Sequence, residues 1–270
     1  MSKKLKEIFK DTCKIFKENR DNELGKQLEK AIKNTLIVDM DKIKSYESDV
    51  ITPINIKISN KSSIDEALKQ SNSGKNVMVL NFASAISPGG GVKNGATAQE
   101  ESLCRVSGLY QCLVNQKSFY NYHRIHRNYL YNNNIIYSPN VPVIKDNEGK
   151  ILNEPIAISF ITSPAVYAKY AKMFFLSDEK INSVMKNRID KLIDFIIEKS
   201  PDCVILGAFG CGVFKNNPNI IANVFKEAIV SRSNELNSRN IKIIFAIYDK
   251  EKTGVNYRTF ENILKEDTIY

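Results

Sequence analysis

Val77-Met78-Val79-Leu80-Asn81-Phe82, followed by Ala83-Ser84-Ala85-Ile86-Ser87-Pro88-Gly89-Gly90-Gly91, decides the fold of this 270-residue chain. The first six residues form a short, nearly continuous apolar run. Such a run predicts a strand buried on both faces, as in the middle of a parallel sheet. Pro88 halts regular structure. Three glycines in succession then allow positive φ and leave no Cβ in the way of a ligand. The same pattern returns further on. Cys203-Val204-Ile205-Leu206 reads as a strand, Gly207-Ala208-Phe209-Gly210-Cys211-Gly212-Val213-Phe214 as its turn, and Pro218 suits the opening of the next helix.

Ile54, Ile56 and Ile58 alternate with Asn55, Lys57 and Ser59, which predicts a half-buried strand. Residues 63–70 read as a helix. Further strands are expected over 156–161, 203–206 and 241–247, with helices over 178–199 and 218–236. Strands alternating with helices predict a three-layer α/β domain. The first 45 residues read as helices, because Leu5, Ile8, Phe9, Thr12, Ile15 and Phe16 recur every three or four positions. The expected organisation is an N-terminal helical extension, residues 1–48, packed on a main domain of residues 49–270.

Composition narrows the function. Hydrophobic residues are 43% and charged residues 26%, which suits a soluble globule. The net charge of +9 favours phosphate-bearing partners. The excess is mostly Lys beside many Asn and Ile, a mixture that an AT-rich genome also produces, so no specific nucleic-acid partner is expected. The five cysteines are odd in number and lack CxxC spacing, which points to a reducing cytoplasm rather than a disulfide framework. No stretch approaches the ~18 apolar residues of a membrane span. No membrane partner is expected, and the N-terminus lacks the apolar run of a signal peptide.

Both glycine turns follow strands, and in open α/β sheets ligands bind beyond the carboxyl ends of the strands. Two such turns side by side could grip a diphosphate through backbone N–H groups. Neither contains Gly-Lys-Ser/Thr or GxGxxG, so a P-loop enzyme and a dinucleotide dehydrogenase both lack their motif. Gln99-Glu100-Glu101 stands where the next helix should begin. Acidic residues in a first turn ordinarily just favour the helix dipole, by about 0.3–1 kcal/mol. Here they lie a few residues beyond a candidate phosphate cradle. Consecutive helical residues diverge by roughly 100°, so the two carboxylates cannot share one task. His123 and His126 are three apart on an expected helix, but no third ligand stands nearby and no metal is expected. Cys211 reads as a small loop residue near the ligand, since no feature supplies an activating base. Phe119, Tyr120, Tyr122, Tyr129, Tyr131 and Tyr137, set among Arg124 and Arg127, read as packing residues.

Gly89-Gly90-Gly91, seven intervening residues and Gln99-Glu100-Glu101 resemble the signature of poly(ADP-ribose) glycohydrolases. Flanking blocks resemble the bacterial-type branch: Asn81-Phe82-Ala83-Ser84-Ala85, Leu103 to Tyr110, Tyr137 to Val143, Thr162 to Ala165 and Gly207 to Phe214. The resemblance implies a macrodomain, a three-layer α/β/α fold with a mixed central sheet. It implies hydrolysis of ribose–ribose bonds to release ADP-ribose, with Glu101 as catalytic acid/base and Glu100 orienting the distal ribose. Gly89, Gly90, Gly91, Gly207, Gly210, Cys211, Gly212 and Val213 would hold the diphosphate and its surroundings, and Phe214 would pack on the distal ribose. Asn81 and Gln99 join the expected substrate contacts, and Tyr248 is assigned to adenine by analogy with macrodomains. One departure concerns Ile144-Lys145-Asp146-Asn147, where the family often has Arg-Asp-Asp. The expected partners are poly(ADP-ribose) or ADP-ribosylated proteins and the ADP-ribose product, with no cofactor, acting as a monomer. The alternatives are a hydrolase of single ADP-ribose units on protein side chains and a non-catalytic ADP-ribose-binding module.

Overall fold

The structure, a computed structural model, describes residues 2–126, 128–249 and 254–264. Seven strands form one mixed sheet: β1 (Leu36–Val38), β2 (Ile56–Ser59), β3 (Val77–Phe82), β4 (Ile135–Lys145), β5 (Ile151–Ser163), β6 (Cys203–Leu206) and β7 (Lys242–Ala246). Their order is β1-β4-β5-β3-β6-β7-β2. From β5 to β2 all neighbours are parallel, whereas β4 runs antiparallel to both β1 and β5.

Strand period decides the layers. On β3, Met78 and Leu80 face one core and Val77 and Val79 the other. The first core is closed by α8 (Asp178–Lys199), α9 (Pro218–Val230) and α11 (Val255–Leu264). The second is closed by α3 (Ser63–Ser71), α4 (Gln99–Val106), α5 (Leu109–Val114) and α6 (Lys117–Ile125). Between these layers the sheet is dry on both sides, which is why β3 and β6 read as unbroken apolar runs.

Three differences from the sequence reading have physical causes. β4 carries Pro139 and Pro142, and proline removes a ladder donor. The strand accommodates them through register shifts, with Asn140 at φ 50°. The helix expected over 218–236 breaks into α9 and α10 (Ser233–Ser238), where the buried Arg232 turns back to Asp190 and Asp194. The first 45 residues are helical in α1 (Lys3–Glu18) and α2 (Glu23–Asn34), but Leu36–Val38 pairs with β4 as an edge strand. Three residues are too few to announce a period.

α1 lies on the back of α4. Phe9, Thr12 and Phe16 are its buried residues, and the Thr12 hydroxyl donates to the Arg105 carbonyl at 2.7 Å. The Lys145 ammonium, fully buried, reaches Asp11 at 2.7 Å and the Ile8 carbonyl at 3.1 Å. The departure at position 145 thus serves a structural ion pair between β4 and α1. Arg127 lies outside the described residues.

Candidate active site

The carboxyl ends of β3, β6 and β7 and the N-termini of α3 and α4 surround a cavity of about 430 Å³. This is where an open α/β sheet offers its loops to a ligand. Glu100, Glu101, Gln99, Gly90, Gly210, Gly212, Val213, Phe214 and Tyr248 are on its wall. Asn81, Gly89, Gly91, Gly207 and Cys211 are not on that wall.

The first glycine turn differs from the expectation of an open phosphate cradle. Its amides are already used. Gly91 N–H donates to Glu101 Oε1 at 2.8 Å, Gly90 N–H to the Ser87 carbonyl at 2.9 Å, and the Gly89 backbone to Glu100. Gly90 has φ 55°, and a Cβ there would come within 2.4 Å of Glu101 Oε1 and 3.1 Å of Glu100 Oε2. At Gly90 the turn seats the two carboxylates, while a Cβ on Gly89 would press on Tyr110 and one on Gly91 on Ala96. Of the three, Gly90 is on the cavity wall, and the Gly90 and Gly91 amides are engaged within the protein.

Gln99 is also committed to the scaffold. Its carbonyl accepts from Phe82 N–H at 2.9 Å, and its amide nitrogen donates to the Leu80 carbonyl at 2.8 Å and to Ser63 at 3.1 Å. It ties the start of α4 to the end of β3. Asn81 is wholly buried and donates to Thr162 at 3.1 Å, beside Glu100.

Glu100 and Glu101 are both buried, at 3% and 8% exposure. Glu100 Oε2 accepts from Ser84 N–H at 2.7 Å. Among the described residues Glu100 Oε1 and Glu101 Oε2 have no hydrogen-bond partner. Each carboxyl therefore has one oxygen held by a backbone amide and the other buried without a partner. Burial pushes the Glu100 carboxyl up to about 8, the Ser84 amide opposes that, and the adjacent Glu101 charge adds to it. The buried Tyr120 hydroxyl next to them is driven well above its usual value, first by burial and then by Glu100.

The second glycine turn keeps its donors. Among the described residues no protein acceptor takes the N–H of Gly212, Val213 or Phe214. A Cβ on Gly212 would meet nothing within 4 Å, so the space above it is open. The α4 N-terminus has no side-chain cap, and Thr97, Ala98 and Gln99 line the cavity there. No Lys or Arg is on the described wall. An anion in this cavity is met by backbone dipoles rather than by side-chain cations.

Gly207 serves packing instead, since a Cβ would press on the Ala246 carbonyl at 2.8 Å and on Phe82 at 2.9 Å. Cys211 is buried with its thiol toward the Phe209 carbonyl, and burial raises it to about 12. Neither is on the cavity wall, and each faces protein groups. Tyr248 sits at the rim, largely exposed. His123 is a satisfied core residue, bonded to the Phe119 carbonyl and Asn132. Among the described residues no group of three or more His, Cys, Asp or Glu is arranged to hold a metal. Wall residues that the sequence did not flag include Ser62, Ser63, Ser84, Asp249 and Asn256. For Ser62 and Ser63 a signal existed: Ser62 caps α3 through Asp65 N–H, so that helix begins at the cavity.

A family model, the microbial-type PARG catalytic domain, matches residues 2–146. No curated protein matches the chain. Among solved structures, the poly(ADP-ribose) glycohydrolase of Thermomonospora curvata is 29% identical, with a TM-score of 0.85 over 96% of this chain and 98% of that one. The same enzyme bound to the inhibitor ADP-HPD is 30% identical, with a TM-score of 0.84 and the same coverage. The glycohydrolase of Deinococcus radiodurans in complex with ADP-ribose is 26% identical, with a TM-score of 0.76 over 88% of this chain and 96% of that one.

Proposed function

We propose a mechanism from one premise: this chain belongs to the microbial-type poly(ADP-ribose) glycohydrolases and is a glycohydrolase. The cavity takes a terminal ADP-ribose unit. Its diphosphate lies against the unpaired amides of Gly212, Val213 and Phe214, its distal ribose lies between Phe214 and the two glutamates, and its adenine extends toward Tyr248. The observation that carries this reading is the pairing of the two glutamates, each with one bound and one unbound oxygen, across one cavity from a turn with unspent donors.

Hydrolysis of a glycosidic bond passes through an oxocarbenium-like transition state. The Glu101 carboxyl donates a proton to the departing ribose oxygen and then takes one from the attacking water. Glu100, which carries a proton below about 8, donates to or accepts from a hydroxyl of the distal ribose and adds no charge beside Glu101. The substrate diphosphate stabilises the positive ring. No cofactor takes part, and the unit that acts is a monomer. Residues 1–48 serve as a brace for the catalytic domain of residues 49–270, to whose sheet they add the edge strand β1.

Glu101→Gln is expected to lower kcat on poly(ADP-ribose) at least a thousandfold while the Kd for ADP-ribose changes less than about threefold. Glu100→Gln is expected to retain the proton-transfer group and to lose mainly ribose orientation. If Glu100→Gln loses turnover and Glu101→Gln keeps it, the two assignments must be exchanged. The raised Glu100 carboxyl is the observation that favours that second division of labour.

A further inference from the structure

A row of aromatic rings leads out of the cavity and onto the surface. Phe214, on the cavity wall, stacks on Tyr167 at 4.3 Å with planes 15° apart. Tyr167 meets Tyr170 edge-on at 4.6 Å. Tyr170 stacks on Tyr129 at 5.3 Å, and Tyr129 reaches Phe174 at 5.2 Å. The row ends in open solvent: Phe174 is 63% exposed and Phe175 97%. Phe175 has φ 59°, a conformation that bulky residues rarely adopt, so its ring is displayed at a backbone cost.

The row is anchored from beneath. The fully buried Arg188 donates to the carbonyls of Leu130, Tyr131, Asn132 and Pro164. Tyr167 N–H donates to the Tyr129 carbonyl at 2.9 Å, and Lys169 N–H to the Phe214 carbonyl at 3.1 Å. These bonds join the segment around residue 129, α7 (Ala168–Met173) and the second glycine turn into one rigid platform. Lys169 lies over the Tyr170 ring at 5.9 Å, and Lys169 and Lys215 are both exposed along the row.

Partly buried rings that end in the exposed Phe174 and Phe175, with lysines beside them, match the chemistry of a flexible chain of nucleotides: bases stack on rings, and phosphates meet ammonium groups. Large exposed apolar patches mark interaction sites, and continuity with the cavity selects the occupant. Given the cavity reading above, we propose that this platform is a second subsite, binding the adenine-bearing unit of the polymer next to the one held in the cavity. It grips substrate and not the released monomer, so it sets preference for chains over single ADP-ribose groups.

The test uses the full chain with Glu101→Gln in the background, so that bound substrate survives. ADP-ribose and size-fractionated poly(ADP-ribose) are titrated separately. The unaltered platform is expected to bind the polymer about tenfold more tightly than ADP-ribose, as one or two stacked bases provide. Phe174→Ser with Phe175→Ser is expected to bring that ratio close to one and leave the ADP-ribose Kd unchanged. Phe175→Ser alone, at a side chain with almost no buried contact, is expected to lose part of the ratio without a change in Tm. An unchanged ratio in both variants overturns the subsite. An equal loss for both ligands overturns it too, as does concentration-dependent self-association that the variants abolish while the ratio stays. Absence of ADP-ribose binding in every form would instead overturn the reading of the cavity.

Discussion

At the scale of single residues, Glu100 makes a pH prediction with a fixed sign. Its folded value of about 8 lies above its ordinary value of 4.5. Between those values the folded chain holds a proton that the unfolded chain has released. Its contribution is therefore fully present below about 4.5, declines as pH rises, and is lost above about 8. Glu100→Gln cannot ionise, so its Tm should gain on the wild type across that window. Parallel Tm–pH curves for the two proteins would dismiss the shift. Two glycines make a paired prediction. Gly90→Ala forces a Cβ into Glu101 Oε1 at a positive φ. It should destabilise the fold by about 1–2 kcal/mol from the left-handed backbone and lower kcat about a hundredfold through misplacement of the carboxyl. Gly212→Ala has open space around it and should leave Tm within about 1 °C while weakening ADP-ribose binding several-fold. Thermal melts and calorimetric titration separate the two; matching losses of Tm would refute the assignment of Gly212 to ligand space.

At the scale of elements, α4 is the part that other elements serve. Arg105, on its last turn, is buried and donates to the Ala96 carbonyl at 2.9 Å and to Ser102 at 3.1 Å. It fixes the descent from Gly91 to the start of α4, and so the distance between Gly91 N–H and Glu101. Arg105→Met should leave a carbonyl without its partner, costing about 1–3 kcal/mol, and lower kcat more than it raises the Kd for ADP-ribose. Full kcat in that variant would show that the turn holds its shape alone. Much of this was legible in the sequence where one local signal ruled. β3, β6 and α8 read directly, because an apolar run or a long amphipathic stripe needs no partner to be recognised. β4 did not, since its prolines argue for a loop and only pairing with β1 and β5 makes it a strand. The site divides the same way. Glu100 and Glu101 were identifiable from their spacing to the glycines. That Gly90 and Gly91 seat those carboxylates depends on a turn closing over ten residues, which spacing does not encode.

At the scale of the whole molecule, charge and topology act together. The net charge of +9 contributes no Lys or Arg to the described cavity wall. The cations lie outside, Lys169 and Lys215 on the surface beside the second glycine turn. Backbone dipoles inside a cavity are little affected by salt, whereas surface lysines are screened over about 8–10 Å. The two parts of the binding surface should therefore separate by ionic strength. Neutralising a few polymer phosphates releases counterions, so KM for poly(ADP-ribose) should rise about tenfold for a fourfold increase in salt. The Kd for ADP-ribose, whose diphosphate meets amides, should move about twofold or less over the same range. Plots of log KM and log Kd against log salt that run parallel would mean that the cations act on the cavity itself, and that the division between an amide-lined interior and a cationic approach is wrong.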